Sequence, residues 1–300
     1  MDLIALGTIA LDNVKTASGA RRDLLGGSAA HFAMGARLFT KVHLVGIIGR
    51  DFPDAHIRFL KRKGVDLTSV VTHHGKSFRW EGEYKQGDYN NAVTLATELG
   101  VLLDYVPRVA AHQRKIPNLF LANIDPDVQT RLLQLMGQPR LIGLDSMNLW
   151  INHKRASLLR LMRRVRLFVA NDAEARSLTG EHNLIKAAKR LRRFGPELIV
   201  VKKGEHGVLF YCDRFMFSFP AYPVEEVIDP TGAGDTFAGG LMGYLSRAKR
   251  FGEKELKQAV LYATTVASFN VEDFGMNKTA ALTPARVRAR MKRLLKFMKP

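Results

Sequence analysis

The chain has 300 residues, an apolar fraction of 46% and a formal net charge of +18, enough for one large α/β body with a small appendage. No apolar run approaches the roughly 18–20 residues that span a bilayer, no basic leader with a cleavage pattern opens the chain, and the single cysteine, Cys212, has no disulfide partner; a cytoplasmic protein is expected, not a membrane-spanning or disulfide-built one. The positive excess falls mainly on segments of helical pattern at 153–166, 186–193 and 286–299; no nucleic-acid module accompanies them, so a solvated basic surface is expected and not a nucleic-acid partner.

Leu3-Ile4-Ala5-Leu6-Gly7 predicts a short buried strand. Asp12 follows, and Gly26-Gly27 punctuate the chain before a helical stretch from about Ser28 to Leu38 that carries His31. A second buried strand is expected at Val42–Ile48 and a helix near Ala55–Lys63. The stretch Ser77–Lys85 differs. It alternates Phe78, Trp80, Gly82 and Tyr84 with Ser77, Arg79, Glu81, Glu83 and Lys85, as a strand with one buried and one wet face does. With a β-like segment at Ala92–Thr97 it predicts a small β lid built from about residues 12–25 and 72–105. The aromatic face of that lid either closes over a ligand or fastens the lid to the body. His73-His74 lack further ligands at metal spacing, so no metal site is expected there.

Short, uniformly apolar strands then end at Asn123, Asp145, Asn171 and Lys203, with helical patterns at about 128–136, 153–164 and 184–194 between them. This alternation predicts an α/β fold over 1–300, a mainly parallel sheet with helices on both faces. Ligands in such sheets bind at the carboxyl ends of the strands, where these polar residues fall.

From Asp229 the chain reads D-P-T-G-A-G-D-T-F-A-G-G and continues into apolar helix-like sequence. Pro230 keeps Asp229 out of helix, and Gly232 and Gly234 permit a tight turn. The first amides of a helix have no internal partners and carry the positive end of its dipole. A glycine-rich turn opening a helix is therefore an anion site, with Gly232, Ala233 and Gly234 as amide donors. Asp235 beside it is placed to accept the proton of an attacking hydroxyl. The same residues read equally well as a capped turn with no chemistry. Neither a Walker A pattern nor a complete G-x-G-x-x-G is present here.

The motif resembles the second signature of the ribokinase-like carbohydrate kinases, the PfkB family. Other residues match that family in order: Asp12 with Gly26-Gly27, Asn171-Asp-Ala-Glu174, and Lys203-Gly204-Glu-His-Gly207. The resemblance runs from Leu3 to Gly275. It implies a ribokinase-like fold with a β lid, ATP and Mg²⁺, Asp235 as general base and the 232–234 amides as anion hole. It further implies Asn171, Glu174, Lys203, Gly204, Gly207 and Thr231 on the nucleotide and magnesium-phosphate side, with no direct protein ligand assigned to the metal. On the acceptor side it implies Asp12, Gly26, Gly27 and the adjoining Ser28. His31 stands where many members have Asn and reads either as a contact to the acceptor or as a satisfied helix histidine; Asn123 ends a strand over the cleft and is taken as an acceptor contact. The segment Phe269–Gly275 lies where the family's adenine-side loop runs, which leaves a monovalent cation open. Asn171 and Glu174 also have the spacing of a helix capping box. The expected acceptor is a sugar or polyol, with a nucleoside as alternative, and lid strands of such proteins often pair subunits into a homodimer. A catalytically silent ligand- or nucleic-acid-binding member is the remaining alternative.

Overall fold

Leu3–Leu6 (β1) is buried on both faces because parallel strands flank it in register, Asn118–Leu121 on one side and Val42–Gly49 on the other. The computed structural model describes residues 1–299. After β1 come Ala10–Thr16 (β2), Gly19–Gly26 (β3), Ser28–Ala36 (α1), Val42–Gly49 (β4), Asp54–Arg62 (α2), Val65–His73 (β5), Arg79–Glu83 (β6) and Val93–Glu98 (β7). The middle of the chain forms Asn118–Leu121 (β8), Pro126–Leu135 (α3), Leu141–Asp145 (β9), Asn148–His153 (α4), Arg155–Met162 (α5), Leu167–Asn171 (β10), Asp172–Thr179 (α6), Leu184–Arg193 (α7) and Leu198–Lys202 (β11). Val208–Tyr211 (β12), Met216–Phe219 (β13), Ala233–Arg247 (α8), Glu253–Asn270 (α9), Asn277–Ala280 (α10) and Pro284–Phe297 (α11) complete it.

Nine strands form one sheet in the order β13-β12-β11-β10-β9-β8-β1-β4-β5, parallel except at β11/β12 and β12/β13. Alternate residues of the same strands feed two cores. Leu3, Ala5 and Val200 face α1, α8 and α9, whereas Ile4, Leu6 and Val201 face α3, α5, α6 and α7. This is the α/β sandwich expected from the uniformly apolar strands. No helix among the described residues is long and apolar enough to cross a membrane.

Helices α1 and α8 cross at backbone contact. A Cβ on Gly35 would overlap the Thr236 carbonyl, and one on Gly239 would overlap the Phe32 carbonyl. The crossing matters because α1 begins at the acceptor end of the cleft and α8 begins at the glycine-rich turn. Gly239→Ala is expected to destabilise the fold by about 1–3 kcal/mol, since the obstacle is backbone and cannot rotate away. Urea unfolding at constant m-value measures this.

Four strands make a second sheet, β3-β2-β6-β7, with β2/β6 parallel and its other pairs antiparallel. It occupies 10–26 and 79–98, a narrower span than the expected 12–25 and 72–105 at its second segment. Residues up to His73 belong to β5 of the large sheet, and Val101 and Tyr105 are buried in the body's core. Ser77, expected on the wet face of the alternating strand, is instead fully buried. Its amide and hydroxyl both donate to Asp51 Oδ1 at 2.7 Å, which fixes the point where the lid leaves the body. Strand β7 is a free edge carrying exposed Val93 and Leu95.

Candidate active site

The glycine-rich turn is bent by Asp229, which is fully buried. Its Oδ1 accepts the Thr231 amide and its Oδ2 the Gly275 amide, both at 2.9 Å. One carboxylate thus shapes the turn and ties the 269–275 loop to it. Gly232 is left-handed, at φ 73°, and caps α8, whose first turn contains Asp235. The Ala233 amide donates to the Pro230 carbonyl at 3.1 Å. Of the three predicted donors, Ala233 is therefore committed to the turn, while the Gly232 and Gly234 amides have no acceptor among the described residues.

His31 lies behind this turn. A Cβ on Gly232 would overlap its ring, and its Nδ1 is 3.3 Å from Asn270 Oδ1. Asn270 also accepts the Thr236 hydroxyl at 3.0 Å and donates to the Thr231 carbonyl at 2.7 Å. Burial holds the imidazole's pKa below its ordinary value, despite Asp229 and Asn270. The His31 ring is thus buried under the anion site, against Gly232 and Asn270.

At the acceptor end, Asp12 points from β2 into the cleft. A Cβ on Gly26 would overlap its carboxylate, which also accepts the Gly27 amide. Burial raises this carboxyl to about 7, with the Gly27 amide opposing and Asp229 adding to the rise. Gly27 adopts φ 90°, closed to ordinary side chains, because Thr8 presses against it. Ser28 and Asn123 are both engaged within the protein. The Ser28 hydroxyl donates to the Asn123 carbonyl at 2.9 Å and meets Thr8. The Asn123 amide is held by the Trp150 indole at 2.9 Å and by Met147 Sδ at 3.1 Å. Both residues join α1 to the strand ends and have little left to offer a ligand.

On the other side, Asn171 and Glu174 form a reciprocal capping box on α6, each bond 2.7 Å. The box buries Glu174 near Asp145 and Lys202. Lys202, which the motif reading passed over, enters the cleft, and Nζ lies 3.3 Å from Asp145 Oδ2. Lys203, predicted as the phosphate contact, donates its amide to the Gly207 carbonyl at 2.7 Å, and its side chain has no partner among the described residues. Successive residues of a strand face opposite ways. The Gly204–Gly207 turn borders the cleft beyond them, with Gly204 at φ 55° and Gly207 at φ 85°.

Asp145, Glu174 and Asp235 therefore surround one ammonium, and the excess negative charge shows in their protonation. Asp235 is raised to about 8 by burial and then by Asp145, with Lys202 opposing and Glu174 and Asp12 adding. Glu174 is raised to about 7, again by burial first, with Lys202 opposing. A divalent cation would relieve this charge. No group of three or more His, Cys, Asp or Glu among the described residues converges at ligand distance, so the site fits a cation held through water and bound phosphate, as Mg²⁺ prefers.

The lid brings its aromatic face and Asn90 to the cleft. Tyr84 reaches into the cleft near Asp12, Asp229 and Asp235, and its hydroxyl faces Thr231; burial raises it to about 12. Thr231 Oγ1 is buried beneath that hydroxyl. Trp80 is the register partner of Asp12 on the neighbouring strand and lies over Gly82, where a Cβ would overlap its ring. Asn90 packs against Gly204, so the lid touches both banks of the cleft.

The sequence profile of the pfkB family carbohydrate kinases matches residues 1–282. The cytidine kinase of Thermococcus kodakarensis is 32% identical over 256 residues, covering 83% of this chain and 90% of that protein. Among solved structures, the nucleoside kinase of Burkholderia thailandensis in complex with inosine superposes with a TM-score of 0.79 at 21% identity, covering 99% of this chain and 100% of the other. Aminoimidazole riboside kinase from Salmonella enterica, complexed with aminoimidazole riboside and an ATP analogue, superposes with a TM-score of 0.74 at 19% identity, covering 97% and 100%. The fold, the turn at Asp229–Asp235 and the match over residues 1–282 agree, and the chain belongs to the pfkB family of carbohydrate kinases.

Proposed function

We propose that this kinase transfers the γ-phosphoryl group of ATP to a hydroxyl of a nucleoside. The observation that carries the acceptor class is Trp80. A flat indole laid over a glycine, in register beside the hydroxyl-binding Asp12, offers a stacking wall for a base. A sugar or polyol would leave that wall without a partner. The cytidine kinase and the inosine complex among the relatives support the same class.

Asp12, its carboxylate fixed by the Gly27 amide, holds acceptor hydroxyls. Asp235 takes the proton of the attacking hydroxyl as its oxygen bonds to the γ-phosphorus and the bond to the ADP oxygen breaks. The Gly232 and Gly234 amides stabilise the transferring group. Mg²⁺, held through water near Glu174 and Asp145, would neutralise phosphate charge. The lid, with Tyr84 and Asn90, keeps water from competing as acceptor.

ADP release over a panel of nucleosides, sugars and polyols, with Asp235→Asn as blank, tests the reading. The highest kcat/KM is expected for a nucleoside; a sugar surpassing all nucleosides would overturn it. Trp80→Ala is expected to raise the nucleoside KM about tenfold with kcat little changed, matching the roughly 1–3 kcal/mol of a base–aromatic stack.

A further inference from the structure

We infer that Lys202 is a further catalytic residue, whose ammonium contacts the transferring phosphoryl group and which Asp145 positions. The inference rests on the kinase reading of the cleft. Lys202 Nζ would lie 2.9 Å from a Cβ built on Gly234, at the N-terminus of α8. An ammonium and the positive end of a helix dipole repel each other, and only an anion between them makes the arrangement favourable. Lys202 is also short of partners. It has three donors, yet its one hydrogen bond among the described residues is the 3.3 Å contact to Asp145. Its side chain is 17% exposed and that of Asp145 5%. A buried ion pair of long geometry gives little stability of its own, so a purely structural pair does not account for the placement.

Asp145 supplies the positioning. Its Oδ1 accepts the Ser146 amide at 2.7 Å, which fixes the carboxylate and leaves Oδ2 for Lys202. Burial alone would lower the Lys202 pKa, but Asp145, Glu174 and Asp235 more than offset it, so the side chain is charged at every working pH. A fixed positive charge beside the anion-hole amides stabilises the phosphoryl oxygens as charge shifts towards ADP, without taking part in proton transfer.

The test is Lys202→Met, with Asp145→Asn and the double variant beside it. Lys202→Met is expected to lower kcat about a hundredfold while acceptor affinity, read by calorimetry, stays within threefold. Binding of ADP with fluoroaluminate and acceptor should weaken by a similar factor, and binding of ADP alone far less. Asp145→Asn should lower kcat about tenfold. The double variant removes both members of the Lys202–Asp145 pair, so Asp145 is not left as a buried carboxylate without its partner and the variant stays informative if Lys202→Met fails to fold; it too should be about a hundredfold slow. Turnover within threefold of the parent in Lys202→Met, or full recovery in the double variant, would overturn the inference. Asp235→Asn, run in parallel, separates the failures. If it is inactive while Lys202→Met is normal, only the role of Lys202 falls; if it is fully active, the kinase reading of this cleft falls.

Discussion

Asp235→Asn is expected to fold normally and to slow turnover by roughly 10²–10⁴. The amide keeps the shape at the start of α8 but cannot accept the acceptor's proton. A pH profile separates this from a loss of binding. The base works only when ionised, and burial with Asp145 holds it protonated until about pH 8 in the ligand-free protein. The parent's kcat/KM should therefore rise with unit slope as pH increases towards 8, and the residual rate of the variant should lack that limb. Stability should move the other way. A carboxyl at about 8 in the fold and near 4 when unfolded leaves the native state holding the extra proton between those values. Its favourable contribution is complete below pH ~4 and is lost as pH rises through about 8. Asp12 and Glu174, both raised to about 7, act in the same sense. Ligand-free Asp235→Asn should accordingly melt several degrees above the parent at pH 8.5, with the gap closing at pH 5. Unaltered turnover would remove Asp235 as base, and an equal gap at both pH values would remove its buried charge as the cause.

The parts of this site that were readable in advance share one property: their chemistry is local in the chain. The glycine turn at Gly232 opens α8, and Asn171 pairs with Glu174 three residues on; such spacings mean the same thing in any fold. The apolar strands announced the sheet for the same reason. Lys202 and Lys203 could not be told apart, because a strand end is uncertain by a residue and one residue turns a side chain to the opposite face. The interior contacts of His31, Ser28 and Asn123 are not local in the chain. Each is defined by a contact from far along the chain: Asn270 for His31, Asn123 for Ser28, Trp150 for Asn123. Trp80 and Tyr84 were visible as an aromatic alternation, and only the pairing of their strand with β2 turned that face to Asp12.

Gly232→Ala should lower kcat by about 10²–10³ and leave the global fold intact. Two effects act together. The position is left-handed at φ 73°, which costs a side-chain-bearing residue about 1–2 kcal/mol. The new methyl would also enter the His31 ring. That ring has nowhere to go, because Asn270 holds Nδ1 while itself bonded to Thr231 and Thr236 on the same turn. The turn must move, and the Gly232 and Gly234 amides move with it, so the loss is that of misplaced oxyanion donors. A double-mutant cycle apportions the two effects. His31→Ala in the Gly232→Ala background makes room for the methyl and leaves the backbone torsion as it was, and should recover at least tenfold of the lost kcat. A double variant no faster than Gly232→Ala would put the whole defect in the torsion, and His31 would then not be what fixes the anion site from behind.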